Sequence, residues 1–318
     1  MTEPLLSVCV ITYNHAPYIL QSLESVAMQK INFSMELIIA DDCSNDGTSQ
    51  IVESFLKTYK GTVNYLKREK NFGAAGNFID MISRARGKYV AYMEGDDYWS
   101  HSEKLQMQID FLEKNESVSL SSHNSTILNK DGRTFLFNKD KRYVFGLHDA
   151  LYTADDYIVR DFFHSSSIVY RKSALPAFPD WYKNAFGGDY FLVLFLGMHG
   201  DFHYINEPLS VYRIHGSSIS TYSSRHEIFK NFDFHFKKFD EYSGFRYHKK
   251  LAGKIFSFRY NFFYYHPNYF KKAWFFFSNL RSIFQMSTSV ISPLARLRML
   301  VPTYFLKSKV NLFTKNER

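Results

Sequence analysis

The chain of 318 residues is poor in cysteine and has no long apolar run. Its two cysteines, Cys9 and Cys43, cannot build a disulfide framework or a thiolate zinc site, and a reducing compartment fits them. The longest near-apolar stretch, Phe191 to Met198, falls far short of a bilayer span. The opening MTEPLLSVCVITYN carries no basic segment ahead of its short apolar run, which argues against a secretory leader. No GxGxxG follows that first run and no GxxxxGKS or GxxxxGKT occurs. A dinucleotide fingerprint and a P-loop are therefore both excluded. CVITYNHAPY also lacks the Gly and Lys of a triphosphate loop, which argues against a nucleotidyltransferase.

What is present supports a folded core, with 45% hydrophobic and 22% charged residues. Aromatic residues reach 18%, and the formal charge is +8. The charge is unevenly placed. Residues 226–318 hold 17 Lys and Arg against 5 Asp and Glu, whereas the first 225 hold 22 against 26. The same last 93 residues carry 25 of the 58 aromatics. The composition shift divides the chain into 1–225 and a basic, aromatic-rich helical region, 226–318. The second could meet an anionic membrane surface, pack on the first, or join a homo-oligomer. Nucleic acid is disfavoured, because the basicity avoids the first part and no nucleic-acid motif appears.

The first part alternates strand and helix. Ser7 to Thr12, Glu36 to Ala40, Thr62 to Leu66 and Lys88 to Met93 read as strands, with helical spacing between them. The period of roughly 25 residues is that of parallel α/β units with right-handed crossovers. Beyond them, Glu103 to Asn115 and Gly188 to Gly200 read as helices. Ser119 to Phe137, Ser166 to Tyr170 and Ile205 to His215 read as mixed or antiparallel strands.

The acidic groups sit where such strands end, which is the ligand edge of an open parallel sheet. The first strand ends at Thr12, Tyr13 and Asn14, the second at Asp41 and Asp42, the fourth at Glu94-Gly95-Asp96-Asp97. Three carboxylates in four residues repel unless positive charge sits among them. A hard divalent cation with oxygen ligands, Mn2+ or Mg2+, would supply it, and a diphosphate would complete its shell.

Four segments carry a resemblance: SVCVITYNHAPYILQSLESVAMQ, ELIIADDCSNDGT, KNFGAAGNF with ARGKYVAYMEGDDYWSHSEKLQMQIDFLEKN, and SSSIVYRKSAL with GGDYFLVLFLGMHGDFHYINEPLSVYRIHGSSIS. In order and spacing they resemble the family 2 glycosyltransferases from about residue 5 to 221. The resemblance implies a GT-A fold, a Rossmann-like, mostly parallel sheet with flanking helices. It implies an inverting, metal-dependent, hexosyltransferase-like enzyme that moves a sugar from a nucleotide-sugar donor, of the uridine diphosphate type, to a glycan or lipid-linked acceptor. The commonest setting is surface polysaccharide or lipopolysaccharide assembly, in the cytoplasm or on the inner face of the cell membrane.

Residue by residue, the resemblance gives Thr12, Tyr13, Asn14, Asp41 and Asp42 to the base and ribose, with Asp41 accepting from the base. Asn71 lines the same pocket. Asn77 stands where a polar contact to the donor is expected. Glu94-x-Asp96 replaces the family's usual Asp-x-Asp, with Glu94 toward the ribose. The metal ligands are Asp96, Asp97 and His215, with an N-cap as the alternative for Asp97. The stretch NFGAAGNF lacks the arginine often found there, which leaves Arg213 to hold the leaving diphosphate. Asp189 matches the acidic catalytic position, with a helix cap as its alternative. A helix N-terminus would lower its basicity. Trp99 is read as either a sugar platform or core, and Tyr98, His123 and His164 as acceptor lining or structural residues. Loop capping is the other reading of Asp42 and Asp46. A rival reading of the whole chain is a non-catalytic nucleotide-sugar-binding component of an assembly complex.

Overall fold

The computed structural model describes residues 3–138, 149–216 and 225–264. The chain divides into two compact units, Met1–Ser243 and Gly244–Arg318. In the first, strands β1 (Leu6–Thr12), β2 (Met35–Asp41), β3 (Thr62–Lys67) and β4 (Tyr89–Glu94) alternate with helices α1 (Ile19–Ala27), α2 (Thr48–Leu56) and α3 (Gly73–Ser83). All four strands are parallel, in the spatial order β3-β2-β1-β4. Strand β1 thus has β2 on one side and β4 on the other, and the strand order reverses there. That crevice is where an open α/β sheet takes its ligand.

The strands form because β1, β2 and β4 are apolar runs buried on both faces, as parallel strands between helices must be. Helix α1 buries Ile19, Leu23 and Val26, the positions its spacing selects, against Val8, Val10 and Trp99 of the same core. The opposite sheet edge is tied by a buried carboxylate. Glu36 accepts Ser7 Oγ at 2.6 Å and the Arg86 side chain at 2.6 and 2.9 Å. Gly87 belongs to this edge. A Cβ there would lie 2.5 Å from the Ser7 nitrogen, so its place is set by close approach to β1 and not by the end of α3.

The rest of the sheet is mixed. Strands β5 (Tyr98–Trp99), β6 (Val118–Asn129), β7 (Thr134–Leu136), β8 (Ala150–Tyr152), β9 (Val169–Arg171) and β10 (Asp201–Ile214) extend it as β4-β9-β6-β10-β5, with β7 on β6 and β8 on β10. Helix α4 (Lys104–Lys114) covers this half, and the short α5 (Ala154–Val159) and α6 (Gly188–Gly197) follow. Helix α6 is apolar all round and buried from Tyr190 to Gly197. Its cover comes from helix α7 (Arg225–Tyr242). Phe236 lies 5.6 Å from Phe191, and Phe239 lies 5.5 Å from Phe195, between ring centroids. The compact unit therefore runs to Ser243, past the composition shift at 225, because the first aromatics of the basic region pack on α6. In the second unit helix α8 (His248–Tyr264) is described. Most of the segment Phe256 to Phe277, on which the membrane-surface expectation leans, lies outside the described residues.

Candidate active site

Two acidic groups face the crevice, and they are treated differently. In the loop after β2, Asp41 is fully buried. Its Oδ1 accepts the Ser44 N–H at 3.0 Å and Ser44 Oγ at 2.5 Å, and its Oδ2 accepts Ser49 Oγ at 2.5 Å and Tyr65 OH at 3.2 Å. Both oxygens accept hydrogen bonds within the fold, so Asp41 shapes the loop. Asp46 does the same work. It accepts the Ala16 N–H at 2.9 Å, the Thr48 N–H at 3.0 Å and Thr48 Oγ1 at 2.6 Å. Its pKa is lowered, since these bonds outweigh the burial that would raise it.

Asn14 has a positive φ of 55° and links the two loops, accepting the Asn45 N–H at 3.0 Å. Tyr13, beside it, is exposed. Thr12 is buried with no hydrogen-bond partner for Oγ1. Asp42 takes the Phe72 N–H on Oδ1 at 2.7 Å, and Asn71 Nδ2 donates to the Asp42 carbonyl at 3.2 Å. Asn71 also accepts the Gly73 N–H at 2.8 Å at the start of α3. Asn77 is fully buried, donating to the Ala40 carbonyl at 3.0 Å and accepting from Arg68 Nε at 3.0 Å, so it ties α3 to β2. Arg68, directly after β3, is a basic residue that the motif reading passed over. Its guanidinium also holds Asp80.

The second group lies at the end of β4. Gly95 permits the close packing there, since a Cβ would come within 2.8 Å of Thr12 Oγ1. The Asp97 N–H donates to the Glu94 carbonyl at 3.1 Å and folds Asp97 back beside Glu94. Strand β5 then pairs antiparallel with β10, Val211 opposite Tyr98, which brings Arg213 and His215 to the motif from far along the chain. Arg213 N–H donates to Asp97 Oδ1 at 2.9 Å, so that oxygen serves β10 and caps no following helix. The Arg213 guanidinium donates to the Asp96 carbonyl and to Gln21 Oε1, between the rings of Tyr98 at 4.6 Å and Tyr18 at 5.3 Å. His215 Nε2 lies 2.8 Å from Asp96 Oδ2, and His15 Nε2 lies 3.7 Å from the same oxygen.

Asp96 and His215 are thus brought together as expected, but Asp97 is not with them. The donor atoms that converge within 4.8 Å of one another, among the described residues, are those of Glu94, Asp97 and His164. His164 precedes the turn Ser165–Ser167, whose Ser165 Oγ donates to both Glu94 oxygens at 2.9 Å. Its sequence signal was a histidine before three serines, too common a pattern to mark a ligand.

The electrostatics follow from this geometry. Burial raises the Glu94 pKa to about 8, with Asp189 and Asp96 adding negative charge. Burial also raises Asp97 well above the carboxylate range, helped by Asp96 and Glu94. Burial would raise Asp96 too, but the His215 hydrogen bond and the nearby His15 hold it low. Burial lowers His164 to about 4, so it is neutral near pH 7. Against the effects that raise Asp97, the Arg213 N–H and the Arg213 charge lower it. A buried Asp97 oxygen without a hydrogen bond, with further carboxylate oxygens and imidazole nitrogens beside it, is a donor set that fits a divalent cation.

Asp189 stands in the first turn of α6. Gly187 is the N-cap, so Asp189 is not the capping residue. Its surroundings are crowded with protein, yet its side chain is open to solvent. The crowding raises its pKa against the N–H groups of Tyr190 and its own backbone, which lower it. The net direction is upward, opposite to that expected from the helix terminus alone, and solvent exposure limits its size. Trp99 is core. It is buried, its Nε1 donating to the Ser166 carbonyl at 2.8 Å. His123 is buried as well, while Tyr98 lies beneath the Arg213 guanidinium.

The parallel half, its switch point and the acidic turn after β4 define a GT-A fold. Glycosyl transferase family 2 matches residues 7–176, and the chain belongs to that family. An uncharacterized protein of Mycobacterium tuberculosis is 31% identical over 71% of this chain, which spans 64% of that relative's length. TuaG of Bacillus subtilis, named for teichuronic acid biosynthesis, is 35% identical over 41% of this chain and 50% of its own. Two solved structures share the fold. One is Staphylococcus aureus TarS with UDP-GlcNAc, TM-score 0.63 and 19% identity over 90% of this chain and 82% of that one. The other is the mannosyltransferase PcManGT from Pyrobaculum calidifontis with GDP-Man and Mn2+, TM-score 0.56 and 16% identity over 99% and 89%.

Proposed function

We propose that the chain is an inverting glycosyltransferase that moves a sugar from a UDP-sugar to a hydroxyl of a glycan or lipid-linked acceptor in surface polysaccharide synthesis. The observation that carries this reading is the meeting of three features at the β1–β4 switch point: the acidic turn, Arg213 of β10 with His215 just past its end, and Asp189, near enough to Glu94 to raise its pKa. The UDP-GlcNAc bound to TarS and the naming of TuaG support the donor and the setting.

A divalent cation, held by Asp96 and His215, would neutralise charge on the diphosphate. The remaining steps belong to the chain's own residues. Asp42 and Asn71 line the base side with Thr12, Tyr13 and Asn14. Arg213 uses N–H groups beyond those given to Asp96 and Gln21 to hold diphosphate oxygens, its plane kept by two tyrosine rings. Asp189 accepts the proton of the acceptor hydroxyl as that oxygen bonds to the anomeric carbon. The bond from that carbon to the diphosphate oxygen breaks on the opposite face, and the diphosphate leaves as an anion.

A screen of nucleotide sugars for donor hydrolysis, with Mn2+ or Mg2+ and with EDTA, tests the reading. Turnover of a UDP-sugar that EDTA abolishes is the expected result. Tight UDP binding with no turnover of any donor would point instead to a binding component of an assembly complex. The basic region after Ser243 is proposed to meet an anionic membrane surface, supported by its Lys and Arg excess. No helix among the described residues is long and apolar enough to cross a membrane. Co-sedimentation with anionic vesicles at low salt, released at high salt, is expected; indifference to such vesicles overturns that part.

A further inference from the structure

Asp189 follows two glycines, and a pair of glycines fixes little backbone by itself. Gly187, at φ 69°, is the N-cap of α6 and has no side chain with which to close the helix end. The turn is held from outside instead, at three successive residues. The Phe186 N–H donates to Asn231 Oδ1 of α7 at 2.9 Å. Gly187 lies against the Phe232 ring of the same helix, where a Cβ would come within 2.6 Å of the ring. The Gly188 carbonyl accepts the Tyr182 hydroxyl at 2.9 Å, and a Cβ on Gly188 would stand 3.2 Å from that oxygen. Tyr182, in the short turn Asp180–Asn184, is buried and stacked on Phe178 at 4.3 Å, so its hydroxyl has a fixed place. Two of the three holds come from α7, the first helix of the basic, aromatic-rich region.

We propose that Tyr182 and Asn231 are positioning residues for Asp189. They hold the turn Phe186–Gly188 and so aim the carboxylate that takes the proton of the acceptor hydroxyl, an inference that rests on the reading of Asp189 as the base. The Asp189 carboxylate accepts the N–H groups of Tyr190 and of its own residue, so its direction follows the backbone of this turn. The Tyr182 hydroxyl is given to the Gly188 carbonyl and Asn231 Oδ1 to the Phe186 N–H, so both act through that backbone. Proton transfer works only over hydrogen-bond distance, and a displacement of about 1 Å costs on the order of 10²-fold in rate. The UDP side of the crevice is built from β1, β2, β4 and β10, so loosening this turn leaves donor binding alone.

Amide hydrogen exchange on the full-length protein reads the turn without any substrate. Asn231→Ala should speed exchange of the Phe186 and Tyr190 amides, bonded to Asn231 and to the Gly187 carbonyl, at least ~10-fold. Asn231→Asp, which keeps an acceptor oxygen, should leave them slow. Turnover of the UDP-sugar identified by the donor screen reads the base. Tyr182→Phe, which removes one oxygen and keeps the ring, and Asn231→Ala should each lower kcat about 10-fold with UDP affinity in Mn2+ unchanged, whereas Asn231→Asp should keep wild-type kcat. In an Asp189→Asn background neither loss should recur, because residues that act through one carboxylate are not additive. Wild-type kcat in both Tyr182→Phe and Asn231→Ala, beside an inactive Asp189→Asn, overturns this inference alone. Unchanged exchange in Asn231→Ala overturns it, and so does a loss that recurs in full in the Asp189→Asn background, which marks a general structural role. A fully active Asp189→Asn protein overturns the base reading and this inference with it.

Discussion

The loop after β2 and the turn after β4 are both acidic, both at the ligand edge, and opposite in electrostatic state. In the first, Asp41 and Asp46 are surrounded by donors from Ser44, Ser49, Tyr65, Thr48 and Ala16. In the second, Ser165 Oγ donates to Glu94 and the Arg213 N–H to Asp97, one Asp97 oxygen is left without a donor, and burial raises both. Carboxylates that organise a loop find their donors inside it. A buried carboxylate oxygen kept without a donor, as Asp97 Oδ2 is, stores an electrostatic cost that a bound cation or proton relieves. The same residue type at the same sheet edge therefore has two uses, and only the hydrogen-bond partners tell them apart.

The sharpest test of the second cluster removes the acid facing it. Asp189→Asn keeps shape and removes the base, and turnover should fall about 10²–10⁴-fold with UDP affinity nearly unchanged. Near-normal kcat would sink its assignment. Asp96→Asn comes next. UDP affinity in Mn2+ should drop toward the value measured in EDTA, while wild type differs between the two buffers by at least ~10-fold. Calorimetry reads both numbers, and equal affinity for wild type in both buffers breaks the comparison at its root. On the first cluster the effect should appear in stability instead. Asp41→Asn loses acceptor capacity for Ser44 or Ser49 and should cost about 1–3 kcal/mol in denaturant unfolding. An intact, equally stable variant with lost UDP binding would return Asp41 to the ligand.

Much of the fold was legible because its signals are local. Three of the four parallel strands, β1, β2 and β4, are apolar runs, and the helices between the strands follow from spacing, with ends displaced by a few residues. The order of Thr12, the acidic loop and the acidic turn was equally plain, since each closes a strand. The roles within those motifs were less so. Asp41 and Asp42 are adjacent and identical in type, and only Ser49 and Tyr65, eight and 24 residues away, show that Asp41 holds the loop. The partners of Asn77, Ala40 and Arg68, belong to other elements, so its own motif does not reveal them. Asp97 and His164 are 67 positions apart and meet through the order β4-β9-β6, which no single-strand pattern encodes. For helix α7 composition left packing and a surface role both open, and Phe236 and Phe239 are buried.

The smallest expected effect concerns pH, and it separates the clusters by sign. Asp46 has a lowered pKa in the fold, so its contribution is present above the unfolded value and fades as pH falls through the folded one. Glu94 is the reverse. Its folded pKa, about 8, lies above the unfolded 4.5, so between these values the folded state holds a proton that the unfolded state has lost. Its contribution is full below pH 4.5 and declines as pH rises toward 8. The metal-free protein should therefore lose thermal stability from pH 6 to pH 8.5, with Tm moving roughly 2–4 °C for each kcal/mol lost. Glu94→Gln, which cannot ionise, should flatten that slope, and Mn2+ should flatten it in wild type by replacing the proton as the positive partner. A metal-free Tm that is level across this range, or a Glu94→Gln protein with the wild-type slope, would show that the second cluster stores no such cost. The two acidic groups would then differ in hydrogen bonding alone.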